Sequence, residues 1–171
     1  MKVIDNLLDK EAFKKIQAAI MNPDFPWYYQ DHSTYRGDKI SQLTHIFYDF
    51  ELKQKSNGPS LSLIDPVIQK LNAVGLVRIK ANLTFPAKTQ ERFHIDYKWK
   101  NLLTAIYYIN TNNGGTRFKT KFVEAKENRA VIMPHNTLHA VVRHTDSNFG
   151  RFVINFNYFT GSGSGKGYVE K

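Results

Sequence analysis

The chain contains no cysteine, which excludes disulfides and any thiolate metal site and makes a reducing cytoplasm its natural setting. It also lacks a long apolar run. The stretch Leu102 to Ile109 is among the longest and is far too short to cross a bilayer, so no membrane partner is expected. Met1–Lys2–Val3–Ile4–Asp5 carries an early acid and no extended apolar segment, and does not read as a signal peptide. Acidic residues are scarce: 15 Asp and Glu face 24 Lys and Arg, for a net charge of +9. Such a balance can draw in nucleic acid or another acidic partner by long-range attraction. The lysines are scattered, however (Lys14, Lys15, Lys53, Lys55, Lys119, Lys121), with no run of five or more. An acidic substrate is weakly indicated, and a plain solvated surface is the leading reading. Nothing in the pattern fixes the oligomeric state.

What is present is enough for one compact domain of 171 residues. Asp9 can cap an opening helix on which Phe13, Ile16 and Ile20 recur at helical spacing, ended by Asn22–Pro23. Residues 23–38 hold Pro23, Pro26, Gly37 and the aromatics Phe25, Trp27, Tyr28, Tyr29 and Tyr35, a pattern of ordered loop or short strands over a pocket. Leu43 to Phe50 reads as a strand, Ser56–Asn57–Gly58–Pro59 as a break, and Leu61 to Ala73 as a second helix presenting Ile64, Ile68 and Leu71. From Leu76 the period becomes two, with strands expected at 76–83, 91–96, 102–109, 116–123, 129–133, 138–143 and 151–159. Asn112–Asn113–Gly114–Gly115 should turn 102–109 into a hairpin with 116–123. Helices followed by many strands predict a mainly β barrel or double sheet with the helices packed outside. Residues 1–160 form the expected domain. The segment 161–171, beginning Gly161–Ser162–Gly163–Ser164–Gly165, has the composition of a flexible linker and reads either as an engineered join or as a loose terminus.

Chemistry enters at Phe93–His94–Ile95–Asp96–Tyr97. On a strand, positions i and i+2 share a face, so His94 and Asp96 can offer an imidazole nitrogen and a carboxylate oxygen to one ion. Iron(II) accepts this donor mix, with a third protein ligand and open positions opposite. Taken alone, a His-x-Asp triplet arises readily by chance. The third ligand must come from His135, His139 or His144. His135 sits in the turn Pro134–Asn136 and His144 opens a polar loop, whereas His139 begins a β-type stretch that can hold it rigidly. His139 is therefore preferred and His135 is the runner-up.

The segment from Gly150 to Tyr158 alternates sharply. Arg151, Val153, Asn155 and Asn157 take one side, and Phe152, Ile154, Phe156 and Tyr158 the other. Such a strand separates a polar cavity from an apolar layer. An inward arginine needs an anion, because burying it unpaired is costly, and its planar fork matches a carboxylate. A surface strand with Arg151 in solvent is the plainer alternative.

Together, His94-x-Asp96, His139 and Arg151 resemble the iron(II)- and 2-oxoglutarate-dependent oxygenases. Thr104–Ala105–Ile106–Tyr107–Tyr108–Ile109–Asn110 and Gly114–Gly115–Thr116–Arg117–Phe118 look like the prolyl-hydroxylase branch. Asn128 to Met133 and Asn155 to Phe159 look like small members from phages and marine microbes. The resemblance covers roughly residues 76–159. It implies a double-stranded β-helix, the cupin-like jelly roll, with His94, Asp96 and His139 on Fe(II). It implies Arg151 and Tyr108 on the distal carboxylate of 2-oxoglutarate, Tyr107 in the core, and O2 as oxidant. Asn82 could touch cosubstrate or substrate or be a plain strand residue, and Arg78 and Lys80 share its face and could serve instead. The implied activity is hydroxylation of an unactivated C–H, foremost on a peptide or protein side chain such as proline. Oxidation of a nucleic-acid base is the alternative, motivated by the charge and by Phe25, Trp27, Tyr28 and Tyr29. A cupin-like protein that binds without turnover is the non-enzymatic one.

Overall fold

Asp9 starts the first helix. Its backbone is extended, and its carboxylate accepts the Ala12 N–H at 2.9 Å, satisfying one of the open donors of the first turn. Helix α1 runs Lys10–Ile20 and buries Phe13, Ile16 and Ile20, the stripe expected from their spacing. The second helix is shorter than its sequence pattern. After a 3-10 turn at Leu61–Leu63, helix α2 covers only Asp65–Lys70. Asn72 takes a left-handed φ of 51° just beyond it, and the chain enters a strand at Ala73. An asparagine tolerates this conformation better than most residues and ends the helix there. Ile64, Val67 and Leu71 nonetheless reach the core. No helix among the described residues is long and apolar enough to cross a membrane.

This structure, a computed structural model, describes residues 1–35, 37–38, 40–52, 54–55, 61–88, 91–146 and 148–161. The expected break at 56–59 and the Gly/Ser tail from 162 onward lie outside these residues. The strands are β1 (Lys2–Ile4), β2 (Tyr28–Gln30), β3 (Gln42–Asp49), β4 (Gln54–Lys55), β5 (Ala73–Thr84), β6 (Leu103–Tyr108), β7 (Gly115–Phe118), β8 (Phe122–Glu124), β9 (Arg129–Pro134), β10 (His139–Val142) and β11 (Arg151–Thr160). A large antiparallel sheet has the order β1-β9-β6-β11-β5-β3-β2, with β4 alongside β3; a small one has the order β10-β7-β8. The result is the mainly β double sheet with outer helices that the pattern predicts, in the jelly-roll form that the resemblance implies.

The two faces of the large sheet carry two cores. Phe152, Ile154, Phe156 and Tyr158 of β11 join Phe13, Ile16, Val67 and Tyr107 in the larger core under the helices. Val153 and Tyr108 turn the other way and pack with Phe118 and Val123 of the small sheet. The period-two alternation of β11 is what separates them. Phe25 belongs to the first core beside His45 and Phe47, and Trp27 lies half-buried against Phe152. Two of the four aromatics suggested as base-stacking groups are thus packing residues; only Tyr28 and Tyr29, on β2, are exposed.

Two expectations fail. Residues 91–96 form no strand: the segment makes a single bridge, His94 to His139. Its side chains alternate between charged and apolar without a ladder partner, so only that pair of backbones meets. The expected hairpin is also absent. β6 stays in the large sheet between β9 and β11, whereas β7 and β8 belong to the small one. Asn112–Gly115 is a crossover between sheets, and its glycines do not adopt positive φ. They permit close approach instead: a Cβ at Gly114 would lie 2.7 Å from the Val142 carbonyl oxygen.

Asn128 fastens the start of the chain to the sheet. Its carboxamide accepts the Leu8 N–H at 3.1 Å and the Tyr107 hydroxyl at 2.8 Å, and donates to the Leu8 carbonyl at 2.9 Å. The residue is buried and holds φ at 60°. Asn128→Ala orphans three buried polar groups and keeps a left-handed residue without a side-chain hydrogen bond. Its expected cost in urea unfolding is about 3 kcal/mol or more, against about 1 kcal/mol for Tyr107→Phe, which removes a single bond.

Candidate metal centre

His94 and His139 lie directly opposite each other on antiparallel backbones. His94 N–H donates to the His139 carbonyl at 2.9 Å, and His139 N–H to the His94 carbonyl at 3.0 Å. A pair bonded this way places both side chains on one face, and the rings are 4.5 Å apart. β10 is itself fixed in register on β7, with His139 opposite Phe118. Each imidazole directs Nδ1 at a carbonyl oxygen, His139 at Thr137 (3.0 Å) and His94, with a longer contact, at Arg92 (3.4 Å). A carbonyl can only accept, so in the neutral ring Nδ1 carries the proton and Nε2 presents its lone pair.

Asp96 completes the cluster. Its Oδ1 lies 3.5 Å from His94 Nε2 and 3.8 Å from His139 Nε2, and one donor atom from each of the three residues falls within a 4.8 Å sphere of distances. Oδ2 accepts from Asn157 Nδ2 at 3.0 Å, and the same amide donates to Thr104 Oγ1 at 2.9 Å. Burial alone would raise the Asp96 pKa. The protonated forms of His94 and His139, the positive charge of Arg78 and the Asn157 amide outweigh it and hold the carboxyl well below its ordinary range. Burial, opposed by Asp96, pushes His139 below its usual value and favours the neutral ring. Two imidazole nitrogens and one ionised oxygen on one side of a shared point suit Fe(II), with the opposite side left for exogenous ligands.

The same cluster borders a small cavity of about 50 Å³ lined by Asn82, Thr84, Thr116, Arg151, His94 and His139 among others. Arg151 is 2% exposed. Its Nη2 makes one long contact, 3.5 Å to Thr116 Oγ1, and its guanidinium lies 5.4 Å from the Tyr108 ring centroid. Tyr108 donates its hydroxyl proton to Thr116 at 2.7 Å. Arg151 Nε has no hydrogen-bond partner, nor does Thr84 Oγ1, its cross-strand neighbour. Among the described residues no carboxylate comes within 4.0 Å of Arg151. Burial depresses its pKa. A buried, uncompensated guanidinium beside an orphaned hydroxyl is a site preorganised for an anion.

The structure thus gathers His94, Asp96 and His139 at one point and places Arg151 and Asn82 on the wall of the adjoining cavity, whereas Tyr108 is buried in the core behind Arg151 and does not line it. Asn82 makes only a weak 3.4 Å contact, to the Lys80 carbonyl. His135 stays in its turn, with its N–H on the Leu102 carbonyl, and His144 is buried against the Asn148 carbonyl. Neither joins the cluster. Asn157, which orients Asp96, was visible in the sequence only as an inward polar residue on β11. Thr84 and Thr116 carry no signal of their own.

A buried ion pair missed by the sequence pattern braces this site. Arg143 Nε donates to Glu91 Oε1 at 2.9 Å, and Ser33 Oγ donates to Glu91 Oε2 at 2.6 Å. Arg143 Nη2 reaches the Ser41 carbonyl at 3.0 Å. The ligand segment beginning at Glu91, the end of β10, Ser33 and Ser41 are thereby tied together, and Ser33 and Thr34 line the cavity. The backbone around Ser33 and Thr34 is organised in turn by Asp38, whose carboxylate accepts N–H groups of Ser33, Thr34, Tyr35 and Ile40 at 2.8–3.2 Å.

No protein-family model and no curated protein sequence matches the chain. Solved structures do. A prolyl-4-hydroxylase of Pseudomonas putida aligns with a TM-score of 0.63 at 13% identity, over 94% of this chain and 92% of that one. A Trichoplax adhaerens prolyl hydroxylase, in complex with a hypoxia inducible factor oxygen degradation domain peptide fragment, aligns at 0.63 and 16% identity over 98% and 87%. HygX from Streptomyces hygroscopicus, with nickel and 2-oxoglutarate bound, aligns at 0.59 and 10% over 94% and 82%. At these identities the likeness establishes the shared fold.

The Asp38 loop gives a pH-dependent expectation. Burial would raise this carboxyl, but its four backbone donors prevail and bring it down from 3.8 to about 2. A carboxyl lowered in the fold stabilises fully above its unfolded value and loses that contribution as pH falls through the folded one. Amides of Ser33, Thr34, Tyr35 and Ile40 should therefore lose protection from hydrogen exchange between about pH 4 and 2. Asp38→Asn should show the loss already at neutral pH. Unchanged protection in that variant would show that the carboxylate does not hold the loop.

Proposed function

We propose that the chain is an iron(II)- and 2-oxoglutarate-dependent dioxygenase that hydroxylates an unactivated C–H bond of a peptide or protein side chain, proline being the leading target. The observation that carries this reading is the pairing, in one cavity, of a two-histidine, one-carboxylate cluster with a buried arginine that has no anion of its own. His94 Nε2, His139 Nε2 and Asp96 would hold the iron on one side. Arg151 would take the distal carboxylate of the cosubstrate, with Thr84 or Tyr108 able to add a hydrogen bond. Iron, 2-oxoglutarate and O2 would together supply the oxidation, releasing succinate and carbon dioxide while one oxygen atom enters the substrate.

The chain's own residues supply position and dryness. Asn157 fixes the Asp96 carboxylate, and the Thr137 carbonyl fixes the His139 tautomer. Ser33, tied down through Glu91, and Thr34 form part of the cavity wall, and a wall that covers bound cosubstrate would limit the access of water. Support for a peptide rather than another substrate comes from the likeness to the Trichoplax enzyme, whose structure holds a peptide fragment. Base oxidation has less support, because Phe25 is buried and Trp27 is packed against Phe152.

Three measurements test the assignment. Anaerobic addition of Fe(II) and 2-oxoglutarate should give a weak visible charge-transfer band. His94→Ala, Asp96→Ala and His139→Ala should each abolish both metal uptake and succinate formation; wild-type uptake in any of them would remove that residue from the ligand set. Arg151→Ala should raise KM for 2-oxoglutarate by about 30-fold or more, the lower range for removing one partner of a buried charge pair. An unchanged KM would mean that the cosubstrate carboxylate lies elsewhere.

A further inference from the structure

Inside the sheet, beyond the Arg151 pocket, lie two more cations with no assigned task. Ile79 and Ala81 pack into the outer core, so Arg78 and Lys80 face inward with Asn82. Lys80 is the cross-strand partner of Asn155, and Arg78 that of Asn157, the residue bonded to Asp96. Arg151 sits at the opposite end of the same strand, opposite Thr84. At strand spacing the two cationic groups are about 13–20 Å apart along β11. His94 and His139 share the cavity with Arg151, whereas Asp96 is bonded to Asn157, the cross-strand partner of Arg78.

Neither cation has a carboxylate in direct contact, although Asp96 and Asp49 act on Lys80, and Asp96 on Arg78, through space. Among the described residues no carboxylate lies within 4.0 Å of Lys80 Nζ or of the Arg78 guanidinium. Arg78 Nε is buried without a hydrogen-bond partner, and its guanidinium lies over the Tyr97 ring at 5.2 Å. The Asn155 side-chain oxygen beside Lys80 is likewise buried and unpaired. Lys80 is partly buried, and burial together with the Arg78 charge brings its pKa down to about 8. Asp49, the carboxylate on the neighbouring strand, already accepts the Leu52 N–H at 3.0 Å. Asp96 is the other nearby acid, and metal binding would take up its charge. Two like charges held together in a partly dry site with no counter-ion in contact are costly, and an anion arriving from outside would relieve that cost. An aromatic ledge borders them: Tyr97 against Trp99, and Trp99 against Phe50. Trp99 and Phe50 are exposed, as an entrance would require.

We propose that Arg78 and Lys80 form an anion subsite on the substrate side of the metal centre, which selects peptides carrying an acidic side chain near the hydroxylated residue. This rests on the oxygenase reading above and deepens it to a substrate class. The same anionic oxygens could come from a small acid, and the test separates the two sources.

Protein loaded with zinc and saturated with 2-oxoglutarate, so that Arg151 is engaged and no turnover occurs, is titrated with inorganic phosphate. The Lys80 side-chain carbon signal, identified by its loss in Lys80→Met, is followed by NMR. A saturable shift is expected, weakened about tenfold or more in Arg78→Gln, as for loss of one charge-assisted contact. Proline-centred heptapeptides differing by a single Asp or Asn at each flanking position are then compared by calorimetry. One Asp register should bind about tenfold tighter than its Asn twin, and Lys80→Met should erase the difference. That variant should also raise Tm, because it removes an unpaired charge, whereas a purely structural lysine would leave the protein less stable when lost. No response of Lys80 to phosphate overturns the subsite. A phosphate response with Asp and Asn twins equal in every register rejects an acidic peptide and points to a small acid. Running the phosphate titration on metal-free protein as well keeps these results apart from failed zinc or 2-oxoglutarate uptake, which would count against the oxygenase reading alone.

Discussion

The two-sidedness of β11 organises this molecule. Held between β5 and β6, the strand gives Phe152, Ile154, Phe156 and Tyr158 to the apolar layer under the helices and Arg151, Asn155 and Asn157 to the interior. Because side chains alternate strictly, packing the aromatic face fixes where every polar group on the other face must point. A one-residue slip would drive Arg151 into the core and Phe152 into the cavity. The apolar layer therefore serves as the jig that aims the charged groups, and stability and site geometry are set by the same hydrogen-bonded ladder.

Against that rigid sheet, the site is closed by contacts that cross the fold. The His94–His139 backbone bridge brings an irregular segment onto β10. The Glu91–Arg143 pair binds the same segment to the loop carrying Ser33 and Thr34. Interior cations without partners, Arg151 above all, oppose folding, and the surrounding packing must outweigh them. Such uncompensated charge is tolerated where a ligand arrives to neutralise it, so binding should stabilise the protein as well as occupy it.

Much of this was legible in the sequence, for identifiable reasons. The alternation from Arg151 to Tyr158 is a local signal, and the strand and its two faces follow from it; that the Arg151 face is buried depends on the sheet packed over it, which the alternation leaves open. The α1 stripe and its Asp9 cap are local as well. The segment 91–96 was misread because His-x-Asp satisfies a strand pattern over three residues, whereas only the encounter with β10 decides how the backbone runs. Asn112–Gly115 has the composition of a hairpin turn, but its glycines answer to the crowding of Val142 and Val123 on the neighbouring strands of the small sheet, which no window along the chain can reveal. Helix α2 stops early because Asn72 adopts a left-handed φ and β5 claims Ala73. Asn157, Thr84 and Thr116 acquire meaning only through cross-strand neighbours.

The first strand has a consequence in time. Lys2, Val3 and Ile4 find their partners at Ile132, Val131 and Ala130, and Leu8 finds its hydrogen bonds at Asn128. A chain emerging from the ribosome carries its opening strand and the apolar stripe of α1 through most of its synthesis before β9 exists to receive them. Contacts this distant in sequence are slow to form, so completion of the outer core waits on the last third of the chain. In the interval, the exposed Phe13–Ile16–Ile20 stripe is the surface that a chaperone would find first.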